Sequence, residues 1–205
     1  MTTLSFFFDF GSTYSYPAAL RIRGEAERAG VEVRFRPLML GAIFKAQGWE
    51  TSPFNLYPAK GRYMWRDLAR ITSEMGVPFV RPDPFPQNGL LAARVAVAAC
   101  DEPWQPAFCI AIFEAEFARG EQIIEPGVVA GALSAAGADA AHWLEAAAAP
   151  EAKDRLRAET EEAQRLGIFG APTFVTGSGE LYWGNDRLDA ALRTATSRNP
   201  LPIRS

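Results

Sequence analysis

Two cysteines and one histidine are all that this chain offers in the way of thiols and imidazoles. Cys100 and Cys109 lie nine apart in apolar surroundings, which is neither metal-ligand nor redox-pair spacing, and a reducing compartment keeps such residues as thiols. They read as buried and inert. The single histidine, His142, sits in an Ala-rich stretch, so a Ser-His-Asp triad would have to draw on a residue remote from any candidate serine. No H-E-x-x-H, C-x-x-C or Gly-rich phosphate loop occurs, which leaves metals and nucleotides without support. The first nine residues lack a charged n-region, and their apolar run Phe6 to Phe8 is cut by Asp9. Neither a signal peptide nor a membrane span is expected there, and the expectation is a cytoplasmic protein without a membrane partner. A net charge of -3 and the absence of like-charge blocks give no basic field for nucleic acid, so a small-molecule partner is expected.

What is present is apolar. With 48% hydrophobic and 22% charged residues among 205, the chain can bury a sizeable core, as one large domain or two interleaved ones. Leu4 to Phe10 is almost continuously apolar and β-favouring, as a strand covered on both faces would be. Gly11-Ser12 breaks it, and Thr13 to Ala29 is compatible with a helix that has Ser12 as N-cap and Gly30 past its end. Val31, Val33 and Phe35 then alternate with charged residues up to Pro37, a second strand. The opening is β-α-β with a right-handed crossover and parallel strands.

From Leu38 to about Pro150 helical spacing dominates: Met64, Leu68, Ile71 and Met75 share a face, Gly89 to Cys100 and Trp104 to Phe117 are apolar helical stretches, and Ala130 to Ala149 reads as two short helices. A charged helix follows to Leu166. Thr173 to Thr176 and Glu180 to Trp183 make a hairpin around Gly177-Ser178-Gly179, and a last helix carries Leu188, Ala191, Leu192 and Ala195, with Asn185 or Asp186 as its cap. The order β-α-β, helices, α-β-β-α predicts an α/β thioredoxin-like fold with a large all-helical insertion. Residues 1–37 and 158–205 form the thioredoxin-like part and residues 38–157 the insertion.

In such a fold the reactive site lies after the first strand, at a helix N-terminus that favours negative charge. Gly11-Ser12-Thr13-Tyr14-Ser15 occupies it, with serines where redox members carry C-x-x-C. Serine can hydrogen-bond a thiolate but cannot exchange a disulfide; the plain alternative is that Ser12 is an ordinary N-cap. In Gly170-Ala171-Pro172-Thr173-Phe174, a cis proline would let the backbone before it pair with a bound peptide or glutathione, whereas a trans proline would simply start an edge strand. Asp186 and Asp189 open the last helix in a capping-box-like pattern, which would also present a carboxylate at a helix mouth. Arg62, Arg66 and Arg70 read as a solvated helix face rather than an anion site.

The strings F-F-F-D-F-G-S at Phe6 to Ser12, G-I-F-G-A-P-T-F at Gly167 to Phe174 and W-G-N-D-R-L at Trp183 to Leu188 resemble 2-hydroxychromene-2-carboxylate isomerases. P-A-K-G-R-Y-M at Pro58 to Met64, followed by Asp67-Leu68, is similar to the helical insert of that family, so the resemblance spans the chain. Kappa-class glutathione transferases are close relatives, and DsbA-type oxidoreductases share the fold. The resemblance implies glutathione as cofactor, an aromatic oxo-acid as substrate and a homodimer. It implies that Ser12 hydrogen-bonds the glutathione sulfur and is the catalytic residue, and that Ala171 with Pro172 binds the cysteinyl unit. Trp183, Gly184, Asn185 and Asp186 would surround the γ-glutamyl end, and Lys45, Asn55 and Asn88 the substrate. Thr13 replaces the proline usual after the serine, and Thr51-Ser52-Pro53 replaces a T-G-N segment. The implied reaction is reversible thiolate addition, bond rotation and elimination. The alternatives are a kappa-like transferase that releases the adduct and a redox-inactive module that grips peptides along the Pro172 strand.

Overall fold

The computed structural model describes residues 2–197; Met1 and residues 198–205, the end of the expected C-terminal segment, lie outside the described residues. A four-stranded sheet of order β2-β1-β3-β4 is built from β1 (Thr2–Phe8), β2 (Val31–Pro37), β3 (Thr173–Thr176) and β4 (Leu181–Trp183). β1 and β2 are parallel, with Phe6 opposite Phe35, and are joined by helix α1 (Ser15–Ala29). β3 runs antiparallel to β1, pairing Phe6 with Phe174, and β4 returns antiparallel beside β3. This is the predicted thioredoxin-like fold with its helical insertion. Among the described residues no strand lies between Pro37 and Thr173.

Side-chain alternation along β1 explains the layers. Phe6 and Phe8 point to one face and join Phe10, Phe35, Phe113 and Phe174, with Phe6 and Phe174 stacked at 5.5 Å. Phe7 points to the other face, against Leu38, Ile43, Ala163, Ile168 and Val175. A strand buried on both sides needs this unbroken apolar run.

The intervening helices are α2 (Leu40–Ala46), α3 (Pro53–Leu56), α4 (Pro58–Met75), α5 (Leu90–Ala98), α6 (Gln105–Phe117), α7 (Pro126–Ala135), α8 (Ala140–Ala148) and α9 (Pro150–Arg165), and α10 (Leu188–Thr196) closes the fold. Helices α5 to α8 share one apolar cluster with the sheet and α1, and α9 runs unbroken through residues 157 and 158. Arg62, Arg66 and Arg70 are exposed on α4.

Three local expectations are corrected. β1 stops at Phe8 rather than Phe10, because the Asp9 carboxylate accepts the Gly11 N–H at 2.8 Å and turns the chain. α1 starts at Ser15 rather than Thr13, so Ser12 is not its N-cap; the cap position falls on Tyr14, whose side chain caps nothing. Cys100 is exposed rather than buried, with its thiol pushed up by partial burial and by Asp101, whereas Cys109 is fully buried.

Candidate active site

The turn between β1 and α1 carries Ser12, and the bonds around it are specific. Ser12 N–H donates to the Asp9 carbonyl (3.0 Å), and Ser12 C=O accepts from Ser15 N–H (3.1 Å). Its hydroxyl crosses to the other end of the chain and donates to the Ala171 carbonyl at 3.0 Å. Ala171 precedes Pro172 through a cis peptide bond. The two segments that the sequence placed 159 residues apart thus meet at one hydrogen bond.

Asp9 fixes this turn from below. Its second oxygen accepts Leu40 N–H at 2.7 Å, tying the turn to the start of α2. Burial pushes the Asp9 carboxyl up, and the two N–H donors oppose that shift. Behind it, Glu116 of α6 is fully buried with no hydrogen-bond partner on either oxygen, and burial followed by the nearby Asp9 charge holds its carboxyl well above the ordinary range. An unpaired buried carboxylate is costly enough that such a group keeps its proton.

A cleft of about 1160 Å³ opens above Ser12, walled by the Ser12 turn, the start of α2, the α3 segment, the inner face of α4, the Phe85 to Gly89 loop, and the segments around Ala171 and Asp186. It is large enough for two small molecules side by side. Ser12, Ala171, Pro172, Trp183, Gly184, Asn185 and Asp186 all line it. Trp183 is 50% exposed and packs its ring 4.9 Å from Phe169. Gly170 permits this placement, since a Cβ there would come within 2.6 Å of the indole Nε1.

Asp186 does not cap α10. A 3-10 turn over Asn185–Arg187 precedes the helix, no side chain caps either element, and the Asp186 carboxylate stays open to solvent within 3.5 Å of Arg187 Nε. Asn185 is held by Arg21, whose guanidinium donates to its side-chain oxygen (3.2 Å) and backbone carbonyl (2.6 Å). Gly184 turns the chain at φ 112°, conformational ground for glycine.

The residues expected around a substrate divide. Asn88 lines the cleft and accepts Leu90 N–H at 3.0 Å. Lys45 and Asn55 do not line it: Lys45 is on the exposed side of α2, and Asn55 donates to Thr51 at 3.2 Å. A seven-residue α2 with Ile43 as its buried anchor turns Lys45 outward. Lys60, Tyr63 and Asp67 of α4, which fall within or just after the P-A-K-G-R-Y-M string, line the cleft as well. Tyr14 donates to Asp67 at 3.0 Å and Tyr63 lies 3.4 Å from its other oxygen. Burial, then the Asp67 bond, pushes the Tyr14 phenol well above its ordinary value, so it serves as donor rather than acid. His142 lies on α8, outside the cleft. Among the described residues no group of His, Cys, Asp or Glu could hold a metal, and no helix is long and apolar enough to cross a membrane.

Comparison with known proteins places this geometry. The family model for the DsbA-like thioredoxin domain matches residues 3–194. The chain is 28% identical to a 2-hydroxychromene-2-carboxylate isomerase of Sphingobium xenophagum over 91% of its own length and 94% of the relative. It is also 28% identical to human glutathione S-transferase kappa 1, over 91% of this chain and 88% of that one. A solved structure of a 2-hydroxychromene-2-carboxylate isomerase superposes with a TM-score of 0.81 at 26% identity, covering 92% of this chain and 91% of that chain.

Proposed function

The chain belongs to the family of DsbA-like thioredoxin domains, and from its place there we propose that it is a glutathione-dependent isomerase acting on an aromatic oxo-acid with a conjugated double bond. Its relatives are isomerases and glutathione transferases, and the observation that carries the reading is the Ser12 hydroxyl poised on the Ala171 carbonyl at the head of the cleft. No thiol stands there, so the nucleophile must be brought in. Glutathione supplies a thiol when bound.

Ser12, Ala171 and Asp186 are the residues that fit it. The Ala171 carbonyl suits the cysteinyl N–H, and the Ser12 hydroxyl, released from that carbonyl, turns its proton to the sulfur. The Asp186 carboxylate, uncommitted to capping, takes the γ-glutamyl ammonium. A free thiol has a pKa of about 8.5 and is mostly protonated at neutral pH; the N-terminus of α1 and the Ser12 donor favour its anion. Held there, glutathione would supply a reversible thiolate addition to a conjugated carbon, the chemistry that lets a double bond rotate without net redox change, while Ser12 holds the sulfur and the N-terminus of α1 favours its charge. Ser12 acts by stabilising sulfur charge and is not acylated.

Turnover assays test the reading. Isomerisation with glutathione required but not consumed supports it; accumulation of a stable conjugate would instead make the protein a transferase. Neither would leave a peptide-binding module.

A further inference from the structure

With Lys45 outside the cleft, the carboxylate of the proposed substrate lacks the partner that the resemblance implied. The charges lining the cleft narrow the choice. Four are carboxylates, Asp9, Glu50, Asp67 and Asp186, and two are cations, Lys60 and Arg187. Arg187 is paired with Asp186 at the Trp183 end. Lys60 makes no ion pair among the described residues, and its ammonium rests 5.1 Å from the Tyr57 ring. Most of the charged groups in the wall are acidic, so away from the Ser12 turn an anion entering this cleft is attracted where Lys60 stands.

The start of α4 meets the Ser12 turn through aromatic side chains. Lys60 is in the first turn of α4, where the helix end adds positive charge. Its neighbour Gly61 lies so close to α3 that a Cβ would sit 2.5 Å from the Phe54 carbonyl, which brings Phe54 against the base of α4. The Phe54 ring in turn lies 6.2 Å from Tyr14, two residues past Ser12. Lys60, Phe54, Tyr14 and Ser12 thus line one cleft, with Lys60 at the start of α4 and Ser12 in the turn before α1.

We propose that Lys60 is the specificity-determining residue of the substrate half of the cleft, anchoring the carboxylate of an aromatic acid whose ring lies against Phe54 and Tyr14. This rests on the isomerase reading given above. It is tested by calorimetric binding of cinnamate and of methyl cinnamate to the glutathione-saturated protein, with glutathione affinity measured separately for each variant. Lys60→Met should weaken cinnamate by about fivefold, as expected for one partly solvated ion pair, and leave methyl cinnamate and glutathione unchanged. Lys60→Arg should restore cinnamate. Equal cinnamate binding in parent and Lys60→Met, or none in the parent, overturns the proposal. A loss confined to glutathione affinity also overturns it, by assigning Lys60 to a glutathione carboxylate. Absence of glutathione binding to the parent is a different failure, that of the isomerase reading itself.

Discussion

The Ser12 hydroxyl donates to the carbonyl oxygen of Ala171 at 3.0 Å, and this bond joins the first turn of the chain to the loop before the β3–β4 hairpin. A neutral bond of this kind contributes about 0.5–1.5 kcal/mol, small enough to be exchanged when a ligand offers a sulfur anion to the hydroxyl and an N–H to the carbonyl. Both halves of the exchange sit at the head of the same cleft.

Asp186 is open to solvent and caps no helix, so Asp186→Asn should leave thermal unfolding unchanged while weakening glutathione about tenfold, the lower end for a charge-assisted contact. Calorimetry beside thermal unfolding of the same variant reads both. Unchanged affinity would remove Asp186 from the site.

Gly170→Ala places a methyl where the Trp183 indole lies, 2.6 Å from Nε1. Because Trp183 is half-exposed, the ring swings away at little cost to stability, and glutathione affinity should fall several-fold with a nearly unchanged Tm. A large drop in Tm with affinity intact would show that the ring is structural only.

Glu116 bears on stability against pH. Its folded-state carboxyl holds its proton well above the 4.5 of an ordinary glutamate, because it is buried beside Asp9 without a hydrogen bond. The native state therefore binds more protons than the unfolded chain above that pH, and the contribution of Glu116, complete below about pH 4.5, is lost as pH rises through the raised value. Glu116→Gln keeps the shape and cannot ionise, so its stability should fall less steeply from pH 5 to pH 8 than that of the parent. Denaturant unfolding at several pH values measures this; parallel curves would mean that Glu116 is ionised and paired.

The fold was legible because its signals are local. The unbroken run Leu4 to Phe8, the alternation Val31 to Phe35 and the Gly177-Ser178-Gly179 turn each point to one element, and their order admits few topologies. Motif strings likewise brought Ser12, Ala171 and Trp183 to Asp186 into one list, and the cleft holds all of them. The failures arose where tertiary contacts outweigh local preference. Ser12 looks like an N-cap until Ala171, distant in sequence, takes its hydroxyl. Asp186 looks like one until Gly184 turns the chain and a 3-10 turn intervenes. Lys45 and Lys60 both flank the α3 region and both are exposed, and only Lys60 lines the cleft. Asp9 and Glu116, more than a hundred residues apart, carry no sequence pattern that links them.

The account rests on Ser12 stabilising a bound thiolate, and an ultraviolet titration of glutathione bound to the parent and to Ser12→Ala tests it directly. The parent should lower the thiol pKa below the free value of about 8.5. Losing a hydrogen bond to the charged form should raise it by about one to two units in the variant, with affinity nearly intact. The same pKa in both proteins, or a parent that leaves the thiol at its free value, would contradict the account.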